Sequence, residues 1–174
     1  MLSDEIVLLR NWQERDIAEL LRLRNDRALQ EQLMTQPRPN SEESVRQWLS
    51  RRSAGPDNVF FVVEDIRSGQ LAGYLQYTDL NTLNGTADFG ICIAPAFHGC
   101  GHASAAMDLA ERYLKNVFNT RKVTLKVFAD NSRAIRLYEK RRFDRCGLLR
   151  RQFLRDGVFQ DVVIMEKFLE GTAR

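Results

Sequence analysis

Histidine occurs twice and cysteine three times in this 174-residue chain. Cys92, Cys100 and Cys146 are an odd, scattered set with no Cys-x-x-Cys spacing and no clustered histidines. Neither a disulfide framework nor a zinc site is indicated, so free thiols and no metal are expected. No apolar run approaches the roughly 20 residues needed to cross a bilayer. The first residues carry Asp4 and Glu5 and do not resemble a secretion signal, which makes a cytoplasmic protein the expectation. Two nucleotide-binding signatures are absent as well. A glycine turn at residues 98–103 ends Gly-His-Ala, where a triphosphatase loop needs Gly-Lys-Ser/Thr. It also has no third glycine for the dinucleotide fingerprint.

What is present starts with that turn. From Thr86 to Ile93 the residues alternate, placing Ala87, Phe89, Ile91 and Ile93 on one face of a strand and Asp88, Gly90 and Cys92 on the other. After His98, Gly99, Cys100 and Gly101 comes a run from Ala103 to Glu111 with no branching at Cβ, which opens a helix. Backbone N–H groups of a helix's first turn lack intrahelical partners and the dipole there is positive, so an anion can dock where no side chain blocks it. On the turn alone the competing reading is an ordinary strand-to-helix connection whose glycines only permit tight geometry.

A second segment adds specificity: Asn131-Ser132-Arg133-Ala134-Ile135-Arg136-Leu137-Tyr138-Glu139-Lys140-Arg141-Arg142-Phe143, followed by Asp156-Gly157. With the glycine turn at this spacing, the order resembles the GNAT (general N-acetyltransferase) superfamily, in particular its branch of ribosomal-protein alanine, spermidine and amino-sugar N-acetyltransferases. Weaker parts of the resemblance are Leu9-Arg10 before Asp16, Arg24-Asn25-Asp26, and Trp48. It implies a single α/β (α+β) domain over 1–174, with a mixed sheet of about seven strands flanked by about four helices. Two strands, Thr86 to Ala94 and Val123 to Phe128, would splay to admit acetyl-CoA.

The resemblance also implies roles. The backbone around Ile91, Cys92 and Ile93 would meet the pantetheine arm. Residues His98, Gly99, Cys100, Gly101, His102 and Ala103 would hold the pyrophosphate. Asn131 would cap its helix and donate to the cofactor, and Ala134 is small enough to let the cofactor approach. Tyr138 would protonate the departing thiolate as the acetyl group passes to an amine. Read from the strand itself, Asp88, on the face away from Ala87 and Phe89, is the candidate base, acting through water. The family turn usually begins with Gln or Arg and is commonly basic again where Cys100 stands, whereas His98 carries no permanent charge, so cofactor affinity is expected to rise as pH falls. A family glycine is replaced by Arg142, which implies an altered or strained exit from the tyrosine helix.

The chain's length suits one domain, and the remaining pattern fills it. A strand is expected over residues 5–10, a helix over Asp16–Arg27, and a second helix capped by Ser41 with an incomplete capping box, since Ser44 stands where Glu is usual. A hairpin follows over residues 59–77, then the long helix to Phe118, a strand at Val123–Phe128, a helix at Ser132–Arg141, and two last strands meeting at Asp156-Gly157. Residues 121–155 hold 12 Lys or Arg against three Asp or Glu. No stacking-aromatic ladder accompanies this charge, so a solvated basic face is favoured over nucleic acid, with Arg133 or Arg136 available for coenzyme A phosphates.

The acceptor is less legible. Residues Leu33 to Asn40 form a basic, prolyl loop, which favours a nucleotide-linked amino sugar over a polyamine, although Glu31, Glu42, Glu43 and Asp79 offer carboxylates. A protein N-terminus, or a non-catalytic scaffold that binds acetyl-CoA, remains an alternative. A homodimer or larger homo-oligomer is implied by the resemblance alone.

Overall fold

The computed structural model describes residues 1–169. In chain order these form β1 (Leu2–Ser3), β2 (Val7–Arg10), α1 (Ile17–Asn25), α2 (Arg27–Gln32), α3 (Glu42–Ala54), β3 (Val59–Asp65), β4 (Leu71–Asn81), β5 (Thr86–Ile93), α4 (His102–Phe118), β6 (Lys122–Phe128), α5 (Ser132–Lys140), β7 (Asp144–Arg155) and β8 (Val158–Phe168). Single 3-10 turns precede α1 at Glu14–Asp16 and α4 at Pro95–Phe97. The strands make one sheet in the order β1-β2-β3-β4-β5-β6-β8-β7. This is the α/β architecture expected, with one strand and one helix more. The two-residue β1 is too short to show a period, and α2 exists because Asp26 ends α1 and then caps a new helix, its carboxylate accepting from the Leu29 N–H at 3.0 Å.

Apolar cores lie on both faces of the sheet. On one, Leu75, Tyr77, Ala87, Phe89 and Val123 pack against Ala106, Leu109 and Leu114 of α4 and Ile135 and Tyr138 of α5. On the other, Phe60, Val62, Tyr74 and Cys92 pack against Leu20 and Leu23 of α1 and Val45, Trp48 and Leu49 of α3. The two-residue alternation of β5 feeds both cores, Phe89 to the first and Cys92 to the second.

The weaker signals at the N-terminus acquire physical meaning here. Arg10 donates through Nη1 and Nη2 to both carboxylate oxygens of Asp16, at 2.7 and 2.9 Å, and through Nε to Glu64 at 2.6 Å, pinning the chain as it leaves β2. The Arg24 guanidinium lies 4.4 Å from the centroid of the Trp48 ring. The Asn25 side chain donates to the Asn40 carbonyl and accepts from the Asn40 N–H and Nδ2, so the loop after α2 is tied back to the end of α1. The α3 capping box, expected to be incomplete, is closed: Ser41 Oγ accepts from Ser44 N–H, and Ser44 Oγ accepts from Ser41 N–H. A second hydroxyl does the work of the usual carboxylate.

Candidate active site

Every strand pair is antiparallel except β5 with β6. That parallel pair has three rungs, Thr86 with Lys122, Ala87 with Val123 and Asp88 with Thr124, and then stops. Both strands continue, to Ile93 and Phe128, so a gap opens between them, as the resemblance implies. On its other side β5 stays in unbroken register with β4, from Asp88 opposite Thr78 to Ile93 opposite Gly73. The Ala94 N–H bonds to the Ala72 carbonyl at 2.8 Å, which fixes the phase of the ladder. Antiparallel partners alternate, so Cys92 and Gly90 share hydrogen bonds with β4; the Phe89 N–H closes the last rung with β6, and beyond it Ile91 and the Ile93 N–H face the gap.

The Cys92 assignment is thereby corrected. Its backbone belongs to the β4 ladder and its thiol is buried in the α1 and α3 core, where desolvation pushes it up to about 12. Ile91 and Ile93 keep the expected orientation. The strand that sequence alternation identified presents its free edge one residue out of phase with Cys92.

At the end of the gap stands the glycine turn. Gly99 and Gly101 have φ of 80° and 88°, a region side chains with a Cβ avoid. Gly101 is the N-cap of α4 and no side chain caps the helix. The Ala105 N–H is satisfied by the Gly101 carbonyl, whereas the N–H groups of His102, Ala103 and Ser104 have no partner among the described residues. Three bare donors at the positive end of a 17-residue helix suit a pyrophosphate. The residues present therefore fit acetyl-CoA: a free strand edge for an extended amide-bearing arm, and an open helix terminus for phosphates.

The two histidines of the turn do not offer their rings to that site. His102 is buried, its Nε2 2.8 Å from Asp65 Oδ1 and its ring edge-on to Phe97. The Ser68 hydroxyl, His102 and the Ser68 N–H all hydrogen-bond the Asp65 carboxylate and hold it at about 2. Only the backbone of His102 faces the helix end. His98 Nε2 lies 2.8 Å from the Ile93 carbonyl and its Nδ1 3.1 Å from Arg133 Nη1. A carbonyl only accepts and a guanidinium only donates, which sets the ring as the Nε2–H tautomer. In place of a phosphate donor, His98 is a bridge that sets the Arg133 cation beside the turn. The Cys100 thiol is exposed.

Tyr138 and Asp88 approach the gap from opposite faces of the sheet. Tyr138 packs on Phe89 and Phe143, with ring centroids 6.4 and 5.8 Å away. Its hydroxyl has no hydrogen-bond partner among the described residues, and burial raises it to about 12. Asp88 shares the last β5–β6 rung with Thr124, whose hydroxyl donates to Asp88 Oδ1. Asn131 caps α5, its Oδ1 accepting from Ala134 N–H at 3.1 Å, while its Nδ2 donates to Gln32 Oε1 at 2.9 Å. Ala134 is half-buried against the Phe89 core. Arg142 has φ of 63°, so it adopts the left-handed exit a glycine would.

Several contributors escaped sequence reasoning. Thr124 sits in an unremarkable strand, and Gln32 belongs to the short α2. Among the basic residues of 121–155, Arg141 pairs with Asp108, Arg145 with Glu139, Arg155 with Asp130 and Lys122 with Glu166. Of the carboxylates considered for the acceptor, Glu42 and Glu43 bond to Arg46 and Gln47 of their own helix. Glu31 accepts from Arg27 of its own helix and also lines a cavity of about 400 Å³ between α2 and the β7–β8 turn.

These features match known proteins. The model of the acetyltransferase (GNAT) domain family matches residues 7–144. Over 113 residues the chain is 34% identical to the spermidine N(1)-acetyltransferase of Vibrio cholerae, covering 63% of this chain and 65% of that relative. The chain thus aligns with just under two thirds of that relative's length. The fold superposes on spermidine N-acetyltransferase from Vibrio cholerae in complex with CoA and spermine with a TM-score of 0.87 and 27% identity, over 95% of this chain and 96% of that one. A dodecameric structure of spermidine N-acetyltransferase from the same organism, in an intermediate state, gives 0.79 and 27% over 95% of both chains. The splayed β5–β6 pair, the uncapped glycine turn and the matched span together establish that this chain belongs to the acetyltransferase (GNAT) domain family.

Proposed function

We propose that this chain is an acetyl-CoA-dependent N-acetyltransferase whose acceptor is a primary amine of a polyamine. The observation that carries the reading is the end of β5–β6 pairing at Asp88 and Thr124. It leaves a free backbone edge between an uncapped helix terminus and an unpartnered tyrosine hydroxyl. Bound acetyl-CoA supplies the acetyl thioester to that gap. The free backbone groups of Ile91 would pair with its arm, and the N–H groups of His102, Ala103 and Ser104 would bind its pyrophosphate.

The division of labour follows from the two faces. Tyr138, kept protonated by burial, holds the proton that the leaving sulfur needs. Asp88 stands on the α1 and α3 side, from which the amine enters. Thr124 fixes its Oδ1, leaving Oδ2 to take the ammonium proton through water. An edge N–H of β5 faces the developing negative charge on the carbonyl oxygen.

The basic loop at 33–40 favours an amino sugar. Glu31 and Asp156 line the groove beside Arg27 and Arg155, and the similar enzymes bear the name spermidine acetyltransferase, which favours a polyamine. No described helix is long and apolar enough to cross a membrane, and three free cysteines suit a reducing cytoplasm. A homo-oligomer fits the exposed Leu148, Leu154, Val158 and Phe159 of the β7–β8 hairpin and the dodecameric neighbour; light scattering on the purified protein tests it.

The deciding experiment is coenzyme A release measured by thiol detection with spermidine, spermine, nucleotide-linked amino sugars and peptides with free N-termini. Turnover confined to polyamines, and lost in Tyr138→Phe, supports the reading. Turnover on another class reassigns the acceptor, and tight acetyl-CoA binding with no turnover makes the chain a scaffold.

A further inference from the structure

Arg27 opens α2 beside the acceptor groove. Its Nε donates to Glu31 Oε1, one helical turn on, at 2.6 Å, and its Nη2 donates to Asp156 Oδ1 at 2.8 Å in the β7–β8 turn, 129 residues away. Glu31, Asp156 and Arg27 line the same cavity of about 400 Å³, with Pro37, Phe153 and Leu154 supplying its apolar wall. Both walls of the cavity are tied to the turn between β6 and α5. Gln32, next to Glu31, accepts from Asn131 at the start of α5, and Arg155, next to Asp156, donates to Asp130. Arg155 is held further by its place over the Phe128 ring, so it stays with its own partner. The two carboxylates of the groove are thus both spoken for by one internal cation.

Both that cation and one of its partners are exposed: Arg27 is 70% and Asp156 66% exposed, against 19% for Glu31. A surface ion pair is weak and its side chain costs entropy to hold, so Arg27 gives way to a competing cation without disturbing the fold. A polyamine carries such a cation at a distance from its reacting nitrogen. A monoamine does not.

We infer that Arg27 is a specificity-determining residue, an internal stand-in for the acceptor's distal ammonium between Glu31 and Asp156, and that a polyamine must displace it to bind. The inference rests on the polyamine reading above. Removing Arg27 then uncovers two carboxylates and favours polycations selectively, whereas an acceptor with one charge gains nothing. The effect is electrostatic and fades with added salt.

The test compares kcat/KM for spermidine with kcat/KM for propylamine in wild type, Arg27→Gln, Arg27→Lys and the double variant Arg27→Gln with Glu31→Gln. Arg27→Gln is expected to raise the spermidine-to-propylamine ratio about three- to ten-fold at low salt. Arg27→Lys stays near wild type, and adding Glu31→Gln returns the ratio to wild type or below. A ratio that falls or stands still in Arg27→Gln overturns the inference, as does a rise that survives Glu31→Gln. Calorimetric titration of spermidine into wild type and Arg27→Gln reads the same contrast without turnover. If wild type acetylates no polyamine, the function reading fails on its own; unchanged spermidine affinity in Arg27→Gln overturns the inference independently.

Discussion

Phe89 meets Tyr138 edge-on, ring centroids 6.4 Å apart at 87°, one residue beyond the last rung that β5 shares with β6. The aromatic contact holds the phenol at the mouth of the gap while its oxygen stays unpartnered. Tyr138→Phe keeps that contact and removes only the hydroxyl. It should lower kcat about 100-fold and leave the KM for acetyl-CoA and the melting temperature nearly unchanged. Because burial pushes the phenol up to about 12, wild type should show no tyrosine-borne loss of rate below about pH 11; stopped-time assays across the alkaline range check both points.

Asp65 provides the acid-side prediction. Its pKa falls from 3.8 unfolded to about 2 folded, through the Ser68 hydroxyl first and then His102. A depressed carboxylate contributes stability that is complete above the unfolded value and is lost as pH falls through the folded one. Asp65→Asn should therefore reduce stability at neutral pH and flatten its decline between about pH 4 and pH 2. Urea unfolding at a series of pH values measures the difference, and parallel curves for the two proteins would contradict it.

Arg10 and Asp16 are both buried, at 5% and 4% exposure, in a two-point contact. Removing one partner strands a charge. Asp16→Ala should cost about 3 kcal/mol, read as a lower denaturation midpoint with an unchanged slope. Glu64 remains to Arg10, so the loss should exceed that of Arg15→Ala, which deletes only an exposed partner of Glu64.

Gly101→Ala tests the turn. An added Cβ meets nothing closer than Ile6 Cδ1 at 3.6 Å, so the penalty is conformational, about 1 kcal/mol for a left-handed residue. Acetyl-CoA binding should weaken further than the stability loss explains, because the first-turn N–H groups shift with the backbone. Calorimetry with acetyl-CoA and a melting curve separate the two effects.

The three cysteines should divide by accessibility. Cys100 and Cys146 are exposed and Cys92 is buried with its thiol raised to about 12. A thiol reagent should titrate two groups in the native protein and the third only after unfolding. Acetyl-CoA should slow the reaction of Cys100 and leave Cys146 untouched.

The strand β5 and the start of α4 were readable because both carry strong local signals: an alternation that separates Phe89 from Cys92, and a glycine turn followed by unbranched residues. Asp156-Gly157 was readable for a similar reason, and both residues adopt positive φ. α2 was not, since six residues are too few to show a helical period. The ring contacts of His98 were hidden because Arg133 is 35 positions away, and the Asn131 to Gln32 bond spans 99. Which backbone groups of β5 are free is a matter of ladder phase, which side chains do not encode; hence Cys92 was grouped with Ile91 and Ile93. The role proposed for Tyr138 comes from the resemblance, and that for Asp88 from its place on the face of β5 opposite Phe89.

A three-rung parallel joint between two antiparallel blocks has a signature in solvent isotope exchange. Along β5 the amides of Gly90 and Cys92 are held by β4, while those of Ile91 and Ile93 face the gap. Their deuterium uptake should alternate residue by residue, slow and fast, on a single strand in the middle of the sheet. A pantetheine arm lying in the gap would erase that alternation by occupying the fast positions, so the cofactor would register as the missing strand of its own host.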